Sequence, residues 1–142
     1  NNIIIFRLPG IYSKKNNALS RLRYGKNVFV KQNKHFFSRI RVEDIAAAIQ
    51  KGFKKNNLGG QIFNISDDLP ASNEVVSKFS AKLLKIKSLN SIKVSEIKSK
   101  MARDFYKDSK KVSNKFMKNK LKIKLKYPTY KQGLKNIFNE YR

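Results

Sequence analysis

The sequence predicts an α/β fold, and three observations carry that prediction. Short β-branched or aromatic runs with strand periodicity are interleaved with amphipathic helical patterns along the first half of the chain. Helical patterns then take over to the end, with Gly, Pro, Asn and Ser marking many of the changes of period. No internal repeat, heptad run or low-complexity linker divides the 142 residues, so residues 1–142 read as a single region.

The elements follow in order. The chain opens on Asn1 directly in an apolar strand pattern, which leads to the expectation that further sequence precedes it. Residues 2–8 read as a buried strand ended by a turn at Pro9-Gly10. After a Lys- and Asn-rich loop, Leu19 and Leu22 suit a short helix over residues 18–24 stopped by Gly25, and Val28, Phe29 and Val30 form a short strand. Residues 36–42 are extended or irregular. Glu43 and Asp44 occupy the first turn of a helix whose apolar positions are Ile45, Ala46, Ile49 and Phe53. Residues 61–65 alternate as a strand and lead into a polar turn. Ser72 then caps a helix with Val75, Val76, Phe79, Leu83 and Leu84 on one face. Residues 87–95 lose periodicity, and Ser95 opens a helical pattern through Ile97, Met101, Phe105 and Tyr106. A basic run around Val112, Phe116, Met117 and Leu121 holds a short helix. The last helix carries Tyr130, Leu134, Ile137, Phe138 and Tyr141 as a core-facing stripe.

Composition narrows the function classes. With 40% hydrophobic residues, 10 Phe and 6 Tyr, the chain can bury a core and is not read as disordered. Cysteine is absent, which removes disulfides, thiolate zinc sites and a cysteine nucleophile, and fits a cytoplasmic setting. The opening apolar run, broken by Arg7 and Pro9, falls far short of the roughly 18 residues of a membrane span and lacks signal-peptide flanks. The formal net charge of +24, from 33 Lys+Arg against 9 Asp+Glu, raises nucleic acid as a partner. Lysine is accompanied, however, by abundant Asn, Ile, Phe, Ser and Tyr, the residues that A/T-rich codons specify, so base composition also accounts for the charge.

Few residues present themselves for chemistry. No Gly-rich phosphate-cradling loop opens any helix, and Gly59-Gly60 precedes a strand instead. His35 lacks a second histidine or a cysteine to share a metal and reads as an exposed loop residue, so no metal site and no catalytic residue are assigned. Asp67-Asp68 resembles a carboxylate pair, but adjacent loop side chains diverge, which favours a turn or capping role. Tyr12 lies just past the first strand, where open α/β sheets bind ligands. Lysines between residues 107 and 126 alternate with apolar residues as on a half-buried, half-solvated face.

Four segments, in order, carry a resemblance: Arg7-Leu8-Pro9-Gly10-Ile11-Tyr12, the run from Phe37 through Arg39 and Arg41 to Ala46, the run from Phe63 to Pro70, and the run from Tyr127 to Leu134. Together they resemble the extended short-chain dehydrogenase/reductases, in the branch of NAD-dependent epimerase/dehydratase-like proteins, over nearly the whole chain. The resemblance implies the C-terminal part of a Rossmann-type fold with a helical substrate region. It implies that Pro9, Gly10 and Ile11 lie beside the nicotinamide of NAD or NADP, and that Tyr12 and Arg39 lie toward the substrate. It also implies that Asp44 caps or orients its helix and that Asn64 and Asp67 organise a turn. Ser13 and Lys14 stand where the pattern has Gly-Pro, and Arg41 where it has histidine. The family's Gly-rich fingerprint and its Tyr-Lys catalytic pair are absent, so no turnover is expected of this chain alone. The expected partners are an N-terminal half supplied by another polypeptide, a sugar-nucleotide-like small molecule, and a second copy in a complete homodimer. A basic nucleic-acid-binding module and a non-catalytic structural remnant are the rival readings.

Overall fold

The computed structural model describes residues 3–141, so the start of the opening strand pattern, at Asn2, lies outside them. The described residues form three parallel strand pairs. In these, β1 (Ile5–Arg7) lies against β5 (Ile62–Asn64), β2 (Gly10–Tyr12) against β4 (Arg39–Arg41), and β3 (Val28–Val30) against β6 (Asn90–Ile92). The α-helices are α1 (Ala18–Arg23), α2 (Val42–Phe53), α3 (Asn73–Leu84), α4 (Lys100–Phe105), α5 (Lys115–Leu121) and α6 (Tyr130–Glu140). The architecture is thus α/β, as the alternation of periods predicts.

The first two pairs are knitted together by backbone. Ile65 N–H donates to the Arg7 carbonyl at 3.0 Å, and two residues on Asp67 N–H donates to the Arg39 carbonyl at 2.7 Å. The stretch leaving β5 therefore passes from the β1 ladder to the β4 ladder. Pro9 explains why the opening strand does not simply end, as expected: with no N–H to donate it interrupts pairing, and the chain steps across to resume as β2 beside β4. Nor is that opening strand buried. Ile3 and Ile5 are 62% and 48% exposed, on a side where none of the described helices covers them.

Other helices keep their predicted positions but turn their faces. In α2 the buried stripe is Asp44, Ile45, Ala48 and Gly52, while Ala46 and Ile49 face outward and Phe53 is 87% exposed. Small residues win the inner face because Phe6 packs there: a Cβ on Gly52 would sit 3.0 Å from the Phe6 ring. In α3, capped by Ser72 as expected, Val76, Ser77, Ser80 and Ala81 are buried and Val75 is exposed. The buried hydroxyls are satisfied, Ser80 Oγ donating to the Val76 carbonyl at 2.9 Å and Ser77 Oγ accepting from Arg21 at 2.8 Å. The aperiodic stretch before Ser95 contains β6. The helical pattern placed after Ser95 resolves into a 3₁₀ turn at Val94–Glu96 and then α4, which Ser99 caps.

Two apolar clusters form the core. One gathers Ile40, Ile45, Phe63, Ile65, Met117, Leu121, Ile123 and Leu125; the other gathers Tyr12, Leu19, Val76, Tyr130, Leu134 and Ile137. The basic run contributes to the first by strict alternation: Leu121, Ile123, Leu125 and Tyr127 are buried while Lys122, Lys124 and Lys126 are exposed. Asp44 holds this extended segment in place. It does not cap its own helix; its carboxylate accepts from the Lys126 and Tyr127 N–H groups at 2.7 and 3.0 Å.

Helix α6 meets the rest of the fold at Gly133, against which the Tyr12 ring packs. A glycine inside a helix costs about 1 kcal/mol relative to alanine, so Gly133→Ala would ordinarily stabilise. Here the added Cβ would overlap the Tyr12 hydroxyl and lie 2.9 Å from ring carbons Cε2 and Cζ. We expect Gly133→Ala to lower the unfolding free energy by about 1–3 kcal/mol through overpacking, and the double variant with Tyr12→Ala to respond non-additively, both read by urea unfolding.

Candidate functional site

Strands β1 and β5 run parallel and end at Arg7 and Asn64, and a cleft of about 610 Å³ opens beyond these carboxyl ends. Leu8, Pro9, Gly10 and Asn64 line one side. The Gly10 N–H is committed to the Ser38 carbonyl at 3.2 Å, so at Gly10 this side is fixed backbone without a side chain. Facing it are Phe105 of α4, stacked on Phe37 with centroids 4.3 Å apart, and Asp104, Asp108 and Lys110. The two acids are neutralised locally, Asp104 by Lys107 at 2.6 Å and Asp108 by Lys110 at 2.9 Å. The cleft thus combines apolar and backbone surface with the ion-paired side chains of Asp104, Asp108 and Lys110. Among the described residues no group of His, Cys, Asp and Glu could hold a metal, and no helix is long and apolar enough to cross a membrane.

The structure separates the residues singled out in the sequence. Pro9 and Gly10 border the cleft, whereas Ile11 is 48% exposed and does not line it. Tyr12 and Arg39 line a second, smaller cavity of about 140 Å³ together with Arg21, Asn73 and Tyr130. Tyr12 is buried and its hydroxyl has no partner; burial first, then the Asp67 charge, hold its phenol well above the usual range, so it stays neutral. Arg39 Nη1 donates to the Phe37 and Ala71 carbonyls at 3.0 and 2.7 Å. The side chains around this cavity come from β2, α1, β4, α3 and α6, so only Tyr12, by its place past the first strand, and Arg39, through the family pattern, were visible beforehand. Nothing in the six-residue helix α1 distinguishes Arg21 from Arg23 until α3 packs on it.

His35 is not an exposed loop residue. It is 4% exposed, its ring lies against Phe37 and Tyr106 at 4.4 and 5.4 Å, and neither ring nitrogen has a partner. Tyr106 packs on it and the neighbouring Ser109 and Lys110 bond to the Phe36 backbone, an effect of tertiary packing that its polar neighbours in sequence conceal.

Asp67 and Asp68 diverge, as adjacent loop side chains should. Asp68 accepts from Asn114 Nδ2 at 2.7 Å and pairs with Lys118, while Asp67 Oδ1 accepts from the Leu69 N–H at 3.1 Å, the turn role expected. Unexpectedly, Asp67 is 1% exposed and its Oδ2 has no partner. Burial outweighs the Leu69 hydrogen bond and the Arg39 charge, pushing its carboxyl up to about 7. A carboxyl whose pKa rises on folding binds its proton more tightly in the native state. It therefore withdraws stability as pH climbs from the ordinary carboxylate range to about 7, and contributes no further slope above that. Urea unfolding across this range should show that downward slope in the wild type and its loss in Asp67→Asn.

No protein-family model and no curated protein matches the chain. Solved structures do. A functionally unknown conserved protein from Silicibacter pomeroyi matches at 30% identity and a TM-score of 0.89, over 98% of this chain and 49% of that one. dTDP-glucose 4,6-dehydratase from Bacillus anthracis, in complex with NAD, matches at 19% identity and a TM-score of 0.70, over 97% and 44%. UDP-glucose 4-epimerase from Thermotoga maritima, with UDP-glucose, matches at 13% identity and a TM-score of 0.73, over 97% and 45%. The chain spans about half the length of each of these proteins. It has the fold of the C-terminal half of the NAD-dependent epimerase/dehydratase family, within the extended short-chain dehydrogenase/reductases.

Proposed function

We propose that this chain is the substrate-side half of an NAD(P)-dependent nucleotide-sugar epimerase, dehydratase or reductase, and that it is inactive by itself. The observation that carries this reading is the coincidence of Pro9 and Gly10 with a cleft at the carboxyl ends of the parallel strands β1 and β5. That the Bacillus anthracis structure holds NAD and the Thermotoga maritima structure UDP-glucose supports the cofactor and the substrate class.

The residues fit one end of such a cofactor. The Pro9 ring and the side-chain-free Gly10, with the half-exposed Leu8 beside them, suit a flat nicotinamide ring, and no Gly-rich loop exists among the 142 residues to hold the pyrophosphate. When bound, NAD(P) would accept and return a hydride. This chain's part is to position and enclose: Pro9 and Gly10 form the floor, Phe105 and Phe37 wall the cleft, and Arg39, at the start of β4, lies on the substrate side. The phosphate loop and the proton-transferring Tyr-Lys pair belong to the other half. Its docking surface is the apolar face of Ile3, Ile5 and Ile62, exposed by 62%, 48% and 42%.

Calorimetric titration of NAD and of NADP tests this. We expect no binding to the chain alone and binding to the chain combined with a polypeptide supplying the N-terminal half. Absence of binding in the combination, with both parts folded, rejects the reading.

A further inference from the structure

We propose that the ridge formed by α5 and the extended segment after it binds single-stranded nucleic acid, a function separate from the cleft. The sequence there carries charge of one sign: between Asp108 and Glu140 stand ten lysines and no acidic residue. Of those from Lys115 onward, only Lys118 has an ion pair among the described residues, with Asp68. Lys115, Lys120, Lys122, Lys124 and Lys126 are exposed. A lysine-rich composition raises charge everywhere, but the fold decides where this charge points. Met117, Leu121, Ile123 and Leu125 belong to the first core cluster, and the Asp44 carboxylate holds the Lys126 and Tyr127 N–H groups. The ridge is therefore anchored from beneath. Along its extended part Lys122, Lys124 and Lys126 recur at every second residue on one side, about 6–7 Å apart along the backbone. A fixed row of unpaired ammonium groups is an electrostatic track for a polyanion.

The ring beside the row selects the partner. Phe116 is 44% exposed and is stacked on Phe63, with centroids 5.2 Å apart and planes 24° from parallel. Phe63 is fully buried, so the stack rises out of the core and reaches the surface in Phe116. Lys120 Nζ stands 6.0 Å from the Phe116 centroid, which places a cation beside the ring. Single strands are held by this pairing of groups, bases stacking on aromatic rings while ammonium groups meet the phosphates. A duplex keeps its bases stacked on one another and has none to lay on Phe116, which favours an unpaired strand. An anionic bilayer fits less well. The apolar residues between the lysines of the extended part, Ile123 and Leu125, are turned into the core and cannot enter the acyl boundary.

The test uses the 142-residue chain without cofactor, so its outcome is independent of the cofactor reading. Labelled oligothymidylate, oligouridylate and a DNA duplex of equal length are titrated by fluorescence anisotropy over a range of salt, and phosphatidylserine vesicles by co-sedimentation. We expect saturable binding of the single strands, tighter than that of the duplex and falling with salt. Preference for oligouridylate marks RNA as the partner, and preference for oligothymidylate marks DNA. The triple variant Lys120→Gln, Lys122→Gln, Lys124→Gln should weaken binding by about tenfold or more and flatten the slope of log K against log salt by about 2. The triple variant Lys82→Gln, Lys85→Gln, Lys87→Gln removes the same charge from exposed positions on and after α3, and should leave that slope unchanged. Phe116→Leu should weaken binding about fivefold or more, whereas Phe53→Leu, which removes a more exposed ring, should not. Urea unfolding verifies that each variant is folded. No saturable binding of single strands, duplex bound as tightly, equal losses in the two triple variants, or binding to the vesicles alone overturns the proposal.

Discussion

The fold depends on one buried cation. Arg41 is 1% exposed, yet it ends β4, directly precedes α2 and reaches α6 and the segment before it. Its Nε and Nη2 donate to the two Glu43 oxygens, each at 2.9 Å; its Nη1 donates to the Gly133 carbonyl at 3.1 Å and to Asn136 Oδ1 at 2.8 Å; and its plane covers the Tyr127 ring at 3.7 Å. A guanidinium withdrawn from water is strongly unfavourable unless its donors are met. Meeting them requires α2, α6 and Tyr127 to stand in one arrangement, so the charge specifies the assembly as well as joining it.

Two further constraints radiate from that centre. Asp44, one turn of backbone away, accepts the Lys126 and Tyr127 N–H groups and delivers the alternating segment whose apolar side completes the first core cluster. Tyr12, on the neighbouring strand, lies against Gly133 and completes the second. The two cavities follow from this division. The open cleft lies where β1 and β5 end, and the small polar cavity lies where α1, α3 and α6 close over β2 and β4 without filling the space between the arginines. The partition also explains why Pro9 and Gly10 are solvent-facing while Arg39, two strands of chain later, is not in the same space.

The high positive charge has a place in this economy of surfaces. Lys122, Lys124 and Lys126 occupy outward positions of a segment whose alternate residues are core, so a charge run and a core element share the same sequence. Lysine density there is compatible with folding because period-two geometry sends every charge to water.

Periodicity and capping were legible without coordinates. The α/β class, the Ser72 cap, the final helical stripe through Tyr130, Leu134 and Ile137, and the strands at residues 28–30 and 62–64 depend on local spacing alone. The family pattern also picked out Pro9 and Gly10, which border the open cleft. What local spacing could not supply was partnership. The strand β6 is three residues without strong alternation and exists because β3 pairs with it; His35 is buried because a segment some seventy residues later crosses it; and Asp67 is isolated from water by elements far from its turn. The α2 face was displaced by a single ring, Phe6, seated on Gly52. A sequence by itself determines which backbone conformations and amphipathic faces are favourable, since these depend on neighbours within a few residues. Which face is covered, and which charges are left facing an empty space, only the tertiary structure decides, because burial and hydrogen-bond satisfaction are properties of contacts between distant segments.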